Sequence, residues 1–360
     1  MQHRYFAASN SSRGFKNFYP QVFSRADYVY IIKGGPGTGK SSFMRKYAAA
    51  AEEKGYICEY YYCSSDPSSL DGILVFSDQG VIGMLDGTSP HVSEPKFPGA
   101  REQIINLGEC WNTELLRKQK NEIMALSERK SSEYKSAYTF LRSVGNLRAV
   151  SDGLLEEAIR HEKMSKAINS LIKEIPCGKA KIVPAILDSV SMRGRVRLDS
   201  FEDNARSICV VLDCHGAGEI FLTELFSRLK ERKVSMRVSF DPICPERVDG
   251  IFLEEERKTF VTGRGLENKY EQIKRGKTGK SENDDEDKKV MFINTKRFLD
   301  AEKLRDIRSE LRYVERLSES SLDGALHALS KAKVYHFLLE DIYGKTMDWS
   351  KFESISVKNE

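Results

Sequence analysis

Along the chain, short apolar runs rich in β-branched and aromatic residues alternate with longer stretches of helical period. Tyr28-Val-Tyr-Ile-Ile32 predicts a strand, and the helix-forming residues 42–52 predict a helix a few positions later. Ile57-Cys-Glu-Tyr-Tyr-Tyr62, Val81-Ile-Gly-Met-Leu85 and Ser207-Ile-Cys-Val-Val-Leu212 read as further strands. Leu116, Gln119, Ile123, Leu126, Tyr134, Ala137, Leu141 and Val144 recur at threes and fours, an amphipathic seam. Gly145-Asn146 and Ser151-Asp152-Gly153 are expected to break it before the pattern resumes over 154–175, giving a helical hairpin. A counterpart over 304–343 is expected to break near 318–324.

The turn between the first strand and helix changes the picture. Gly34-Gly35-Pro36-Gly37-Thr38-Gly39-Lys40-Ser41-Ser42 satisfies G-x-x-x-x-G-K-[ST] between a strand and a helix, the context that pattern requires. Glycines there let successive amides turn inward as an anion cradle at the positive end of the following helix. Lys40 is expected to reach the β- and γ-phosphates, Ser41 to ligate Mg²⁺ and Ser42 to bond the α-phosphate. The residues thus predict a nucleoside-triphosphate site. ATP is favoured because no Asn-Lys-x-Asp guanine reader is present; Glu267-Asn-Lys-Tyr270 lacks the aspartate. Gly276-Lys-Thr-Gly279-Lys280-Ser281 imitates the motif, but has Lys274 at the first glycine position and no strand before it; residues 274–289 are expected to form a charged, mobile loop.

Such a site needs a carboxylate for the magnesium shell. Asp86 ends a strand-like run, whereas Asp66 follows two serines in a Cys-Ser-Ser-Asp-Pro turn. Asp86 is therefore the favoured metal carboxylate, with Asp66 as a partner orienting water or metal. His91, Glu94 and Glu109 fall near enough in sequence to face a γ-phosphate, but each also suits an ordinary surface or cap position, and no catalytic base is assigned.

The second half follows the first in order. Residues 207–226 match the strand, loop and helix around Lys40, with Glu219 opposite Lys40 and Ile220 opposite Ser41. Pro245, Asp249-Gly250-Ile251 and Thr262 match Pro67, Asp71-Gly72-Ile73 and Asp86. This reads as a tandem duplication whose second copy has lost its phosphate and metal positions together. Residues 1–178 are expected to form an active unit with a helical arm at about 112–175. Residues 179–360 are expected to form a degenerate unit with an arm at about 297–345. A linker over 176–199 carries Arg193, Arg195 and Arg197, candidates to reach the γ-phosphate of the first site.

Composition adds limits. With 57 Lys+Arg against 53 Asp+Glu the net charge is +4, too mild to indicate nucleic acid. No apolar run approaches a membrane span, and the polar N-terminus has no apolar signal core, so a cytoplasmic protein is expected. The seven cysteines are scattered without C-x-x-C pairs and read as reduced thiols.

The runs 33–42, Cys63-Ser-Ser-Asp-Pro-Ser-Ser-Leu-Asp-Gly72, Leu85-Asp-Gly-Thr-Ser-Pro-His91 and Ile104-Ile-Asn-Leu-Gly-Glu109 together resemble a poorly characterised family of bacterial tandem P-loop ATPases found in Firmicutes. The resemblance covers nearly the whole chain and is sharpest over residues 3–145. It implies an α/β fold with a doubled P-loop NTPase unit, a parallel sheet flanked by helices, ATP binding and hydrolysis. Where the family's second unit carries a P-loop, this chain has Gly216-Ala-Gly-Glu-Ile220. The expected function is a Mg²⁺-dependent ATPase. A small-molecule or nucleotide kinase is the alternative, as is a non-hydrolysing ATP-responsive scaffold binding an unidentified protein through its arms.

Overall fold

A computed structural model describes residues 3–178, 180–263 and 288–355. The first half runs β1 (His3–Phe6), β2 (Ala8–Ser11), β3 (Gly14–Asn17), α1 (Tyr19–Phe23), β4 (Tyr28–Lys33), α2 (Lys40–Glu53), β5 (Ile57–Tyr62), β6 (Leu70–Ser77), β7 (Gly80–Asp86) and β8 (Glu102–Asn106). After a 3-10 turn at Leu107–Cys110 come α3 (Thr113–Lys118), α4 (Lys120–Glu156) and α5 (His161–Ile172). The second half has β9 (Ile182–Pro184), β10 (Asp188–Ser191), β11 (Gly194–Arg197), α6 (Ser200–Asn204), β12 (Ser207–Leu212), α7 (Ala217–Glu231), β13 (Met236–Phe240), β14 (Val248–Leu253), β15 (Lys258–Thr262) and β16 (Lys289–Asn294). A 3-10 turn at Thr295–Phe298 leads to α8 (Ala301–Asp306), α9 (Arg308–Lys345) and α10 (Trp349–Ser354). Most of the expected charged loop, residues 274–287, and the imitation motif within it lie outside the described residues.

The two six-stranded sheets are alike. One orders its strands β1-β5-β6-β7-β4-β8 and the other β9-β13-β14-β15-β12-β16. Both are mixed, not wholly parallel: β6 runs antiparallel to β5 and β7, and β14 to β13 and β15. The connections into and out of β6 are too short for a crossover, so its neighbours must be hairpin partners. Each sheet even shifts register at the same place, between Tyr61 and Tyr62 and between Ser239 and Phe240.

Alternation along the strands puts each six-stranded sheet between two apolar layers. Val29, Ile31, Leu74 and Leu85 of the first sheet share a core with Ile208, Val210, Phe252 and Val261 of the second. On the outer faces, Ile32, Ile73 and Met84 pack on Phe43, Met44 and Ala48 of α2. Cys209, Val211 and Phe260 likewise pack on Phe221, Leu222 and Leu225 of α7. The layers therefore run helix, sheet, sheet, helix. The segment expected as a linker is structured: β9 is the edge strand of the second sheet, and β10 and β11 form a hairpin.

The helical arms differ from the expectation of one hairpin per unit. α4 and α9 are continuous helices of 37 and 38 residues, and they pack antiparallel on each other. A glycine inside a helix costs only about 1 kcal/mol relative to alanine, so Gly145, Gly153 and Gly324 all lie within continuous helices; a Cβ on Gly153 would meet nothing within 4 Å, while the other two serve close packing. A Cβ on Gly145 would lie 2.6 Å from the Ser12 Cβ, and one on Gly324 would lie 2.7 Å from the Phe140 ring. The arms also exchange ends. α4 leaves the first sheet and delivers α5 to the second, where Met164, Ile168 and Ile172 join the α7 core. α9 leaves the second sheet and delivers α10 to the first, where Met347 and Phe352 join the α2 core. Matching backbone bonds fasten the two crossings: Asn112 N to Thr346 O at 2.7 Å and Asp348 N to Cys110 O at 2.7 Å on one side, Arg160 N to Phe298 O and Asp300 N to Ala158 O, both 2.8 Å, on the other.

Candidate functional site

The strand β4 carries the chain to the Gly34–Gly39 loop, and α2 begins at Lys40. Gly37 and Gly39 have φ of 69° and 82°, the left-handed region that glycine enters without a Cβ penalty. Gly37 is constrained twice over, because a Cβ there would sit 2.4 Å from the Glu340 carbonyl oxygen of α9. Thr38 is buried and donates through Oγ1 to the Gly35 carbonyl at 2.9 Å, pinning the loop's bend. The amides of Gly37, Thr38, Gly39 and Lys40 donate to no acceptor among the described residues. Lys40 Nζ donates to the carbonyls of Gly34 at 3.1 Å and Gly35 at 2.7 Å and lies 3.5 Å from Asp86 Oδ2.

Asp86 ends β7, which pairs with β4 in a register that sets Asp86 opposite Ile32 at the root of the loop. It is buried, and Oδ1 accepts from Thr88 N at 2.9 Å and Thr88 Oγ1 at 2.6 Å. Burial raises the Asp86 pKa, with Lys40 opposing and Asp71 adding to the rise. Ser41 Oγ accepts from Leu70 N at 2.9 Å, and Ser42 lines the same cavity. His91 bridges the neighbouring carboxylate to the strand end, with Nε2 3.1 Å from Asp71 Oδ2 and Nδ1 2.8 Å from the Asp86 carbonyl.

Asp66 occupies a different role from Asp86. Its Oδ1 accepts from Ser68 N at 3.2 Å, Ser68 Oγ at 2.8 Å and Arg193 Nε at 2.5 Å. Burial would raise its pKa, but the bonds from Arg193 and Ser68 outweigh it and hold the carboxyl below the usual range. Of the three arginines singled out, only Arg193 comes to the rim of the first site, and Asp66 and Ser68 engage it there. Arg195 pairs with Asp188 at 2.6 Å and Arg197 with Glu202 at 2.7 Å, inside the second half. Glu94 is tied to Lys33 at 2.5 Å. Glu109 sits in the 3-10 turn after β8.

A cavity of about 780 Å³ opens over the loop. Its floor is Gly34–Ser42 with Asp66, Asp71, Asp86 and His91. Its roof comes from the arms: Lys130, Tyr134 and Tyr138 of α4, His336 and Glu340 of α9, and Trp349 of α10. The roof residues escaped the sequence reading, although Tyr134 was placed on the helical seam, because which arm covers which sheet is set by the exchange of ends. Among the described residues no cluster of three or more His, Cys, Asp or Glu side chains is arranged to hold a metal.

The equivalent place in the second half is closed by its own side chains. β12 ends at Leu212 and α7 starts at Ala217, so the loop is two residues shorter than its counterpart. Asp213 turns its carboxylate onto the loop, accepting from Gly216 N at 3.0 Å and Gly218 N at 2.6 Å. Counting back from the matched helix ends at Lys54 and Arg232 puts Gly218 at the position of Lys40 and Glu219 at that of Ser41, one residue from the sequence alignment. Glu219 is buried and bonds Arg247 at 2.9 Å; Arg247 also pairs with Asp152 of α4, and Arg148 of α4 lies 2.8 Å from Asp241. Thr262 does match Asp86: it pairs with Val211 as Asp86 pairs with Ile32.

No protein-family model matches the chain, and no curated protein or solved structure matches it.

Proposed function

We propose that the chain binds one nucleoside triphosphate, ATP by preference, with Mg²⁺ in the Gly34–Ser42 loop and hydrolyses it, and that the two halves descend from one duplicated P-loop unit. The observation that carries this reading is the contrast between the loops. In the first, four successive amides are free to bond an anion beside Lys40; in the second, a carboxylate of the protein itself takes the amides and no lysine stands at the helix start. Lys40 would leave the Gly34 and Gly35 carbonyls for the β- and γ-phosphates, and Ser41 and Asp86 would hold the Mg²⁺ shell. A bound Mg²⁺ supplies charge neutralisation for the phosphates. The second half then serves as a fixed partner that lends α9 and α10 as a cover, excluding water from the loop. Among the described residues no helix is long and apolar enough to cross a membrane.

A kinase is the second reading, favoured by a cavity whose lining extends beyond the loop to Tyr134, Lys135 and Tyr138. Phosphate release from Mg-ATP, with and without candidate acceptors, separates the readings. A hydrolase releases phosphate with no acceptor present, a kinase needs one and adds mass to it, and a scaffold binds ATP without turnover.

A further inference from the structure

The arm helix α4 carries a cation over the loop that neither the motif nor the fold requires. Lys130 lines the cavity with Gly37, Lys40 and Glu340 and makes no hydrogen bond or ion pair among the described residues. Its place is rigid. One turn before it, Leu126 packs on Leu339 and Ile342 of α9. Two turns after it, Ala137 and Leu141 pack on Ala325, Ala328 and Leu329. A half-buried ammonium that bonds no acceptor, with Glu340 acting on it only at longer range, is costly unless an anion completes it. We propose that Lys130 is a second phosphate-binding cation, which contacts the terminal phosphate of a bound nucleoside triphosphate from the wall opposite Lys40.

This rests on the reading of the loop as a nucleotide site and adds to it a group from outside the loop. Burial lowers the Lys130 pKa against the pull of Glu340 and Cys63, and Lys40 adds a smaller push in the same direction. The second half provides an internal control. Ala137, Leu141 and Val144 of α4 match the buried Ala325, Leu329 and Ala332 of α9, and the same offset puts Ser318 at the position of Lys130. The arm lysine is thus missing beside the loop that Asp213 fills and present beside the loop whose amides are free. A group that touched only the terminal phosphate would separate triphosphate from diphosphate, and would stabilise charge on the phosphoryl oxygens as an arginine finger does.

The experiment is calorimetric titration of the full chain with Mg²⁺ and either a non-hydrolysable ATP analogue or ADP. The wild-type chain is compared with Lys130→Ala, Lys130→Gln and Lys130→Arg. Loss of one charge-assisted bond predicts analogue affinity lower by roughly ten- to a hundredfold in Lys130→Ala and Lys130→Gln, with ADP affinity within about twofold of wild type. Lys130→Arg should recover part of the loss. An unchanged ratio of analogue to ADP affinity overturns the proposal, whether both affinities fall together or neither moves. A wild-type chain that binds neither nucleotide overturns the loop reading first and this inference with it.

Discussion

Arg237 Nη2 lies 2.6 Å from Glu59 Oε1, and the two residues stand at the same place in the two sheets, each two positions before the register shift of its strand. The equivalent strands have opposite charges there, and the pair joins the halves through the middle of the molecule. Arg25 adds a second, two-pronged contact to Glu59 at 2.7 and 2.8 Å, and Tyr61 donates to Glu59 Oε2 at 2.6 Å. Both carboxylate oxygens are therefore engaged, the condition under which a buried ion pair repays its desolvation.

Glu59→Gln should destabilise the chain by about 3–5 kcal/mol, because it leaves Arg25 buried without its counter-charge and Arg237 with only the half-exposed Glu254, 2.7 Å away. Burial would raise the Glu59 pKa, but the two arginines bring it down to about 2. A depressed carboxyl stabilises the fold above its unfolded pKa of about 4.5 and loses that contribution as pH falls toward 2. Denaturant melts of both proteins at pH 7 and pH 3 check this: the gap between them should narrow in acid.

Lys40→Ala should weaken triphosphate binding by tenfold or more and abolish turnover. The lysine is not simply solvent-facing, since its side chain is 11% exposed and it is the counter-charge of Asp86. Its loss should also lower the melting temperature by a few degrees, as Asp86 is left beside Asp71 in a buried site. Calorimetry and thermal melts together read both effects, and native turnover in the variant would displace the site.

Asp86→Asn should cut Mg²⁺-dependent turnover by about tenfold or more, whereas Asp66→Asn should change it by only a few-fold. Asp86 faces Lys40 at the loop's root, while Asp66 is taken up by Ser68 and Arg193. Turnover as a function of Mg²⁺ concentration ranks them, and the reverse order would move the metal role to the Cys63–Pro67 turn.

Each chain should bind one nucleotide. The second loop has no lysine, its amides at Gly216 and Gly218 already bond Asp213, and Glu219 is held by Arg247. Titration with a non-hydrolysable analogue should give a stoichiometry near one, with the affinity of that single site reduced in Lys40→Ala and no second site appearing.

The sequence made the strand-loop-helix element and the similarity of the halves legible, because both are written in local pattern: glycines at fixed offsets, apolar runs, an Asp-Gly pair after each register shift. The matching of Asp86 with Thr262 and of Asp71 with Asp249 carries through to the strand registers. The matching of Lys40 with Glu219 slipped by one residue, since a shortened loop leaves no local signal of where the helix starts. The arms were misread because glycine weakens a helix only slightly, and only the approach of Ser12 and Phe140 explains Gly145 and Gly324. Lys130, Glu340 and Trp349 could not be placed over the loop from sequence, as α9 and α10 arrive there from the other half.

That crossing of the arms gives the chain the layout of a domain-swapped dimer with its two halves joined end to end. Severed at the junction, residues 1–178 would carry one bare sheet face, Val29, Ile31, Leu74 and Leu85, and one orphan helix, α5, cut to fit another sheet. Two such fragments could satisfy each other by trading arms, so a half-chain's folding should depend on its concentration, as an obligate homodimer's does. Covalent linkage removes that dependence, and it lets the second half keep a loop closed on Asp213 while its helices still cover the loop of the first.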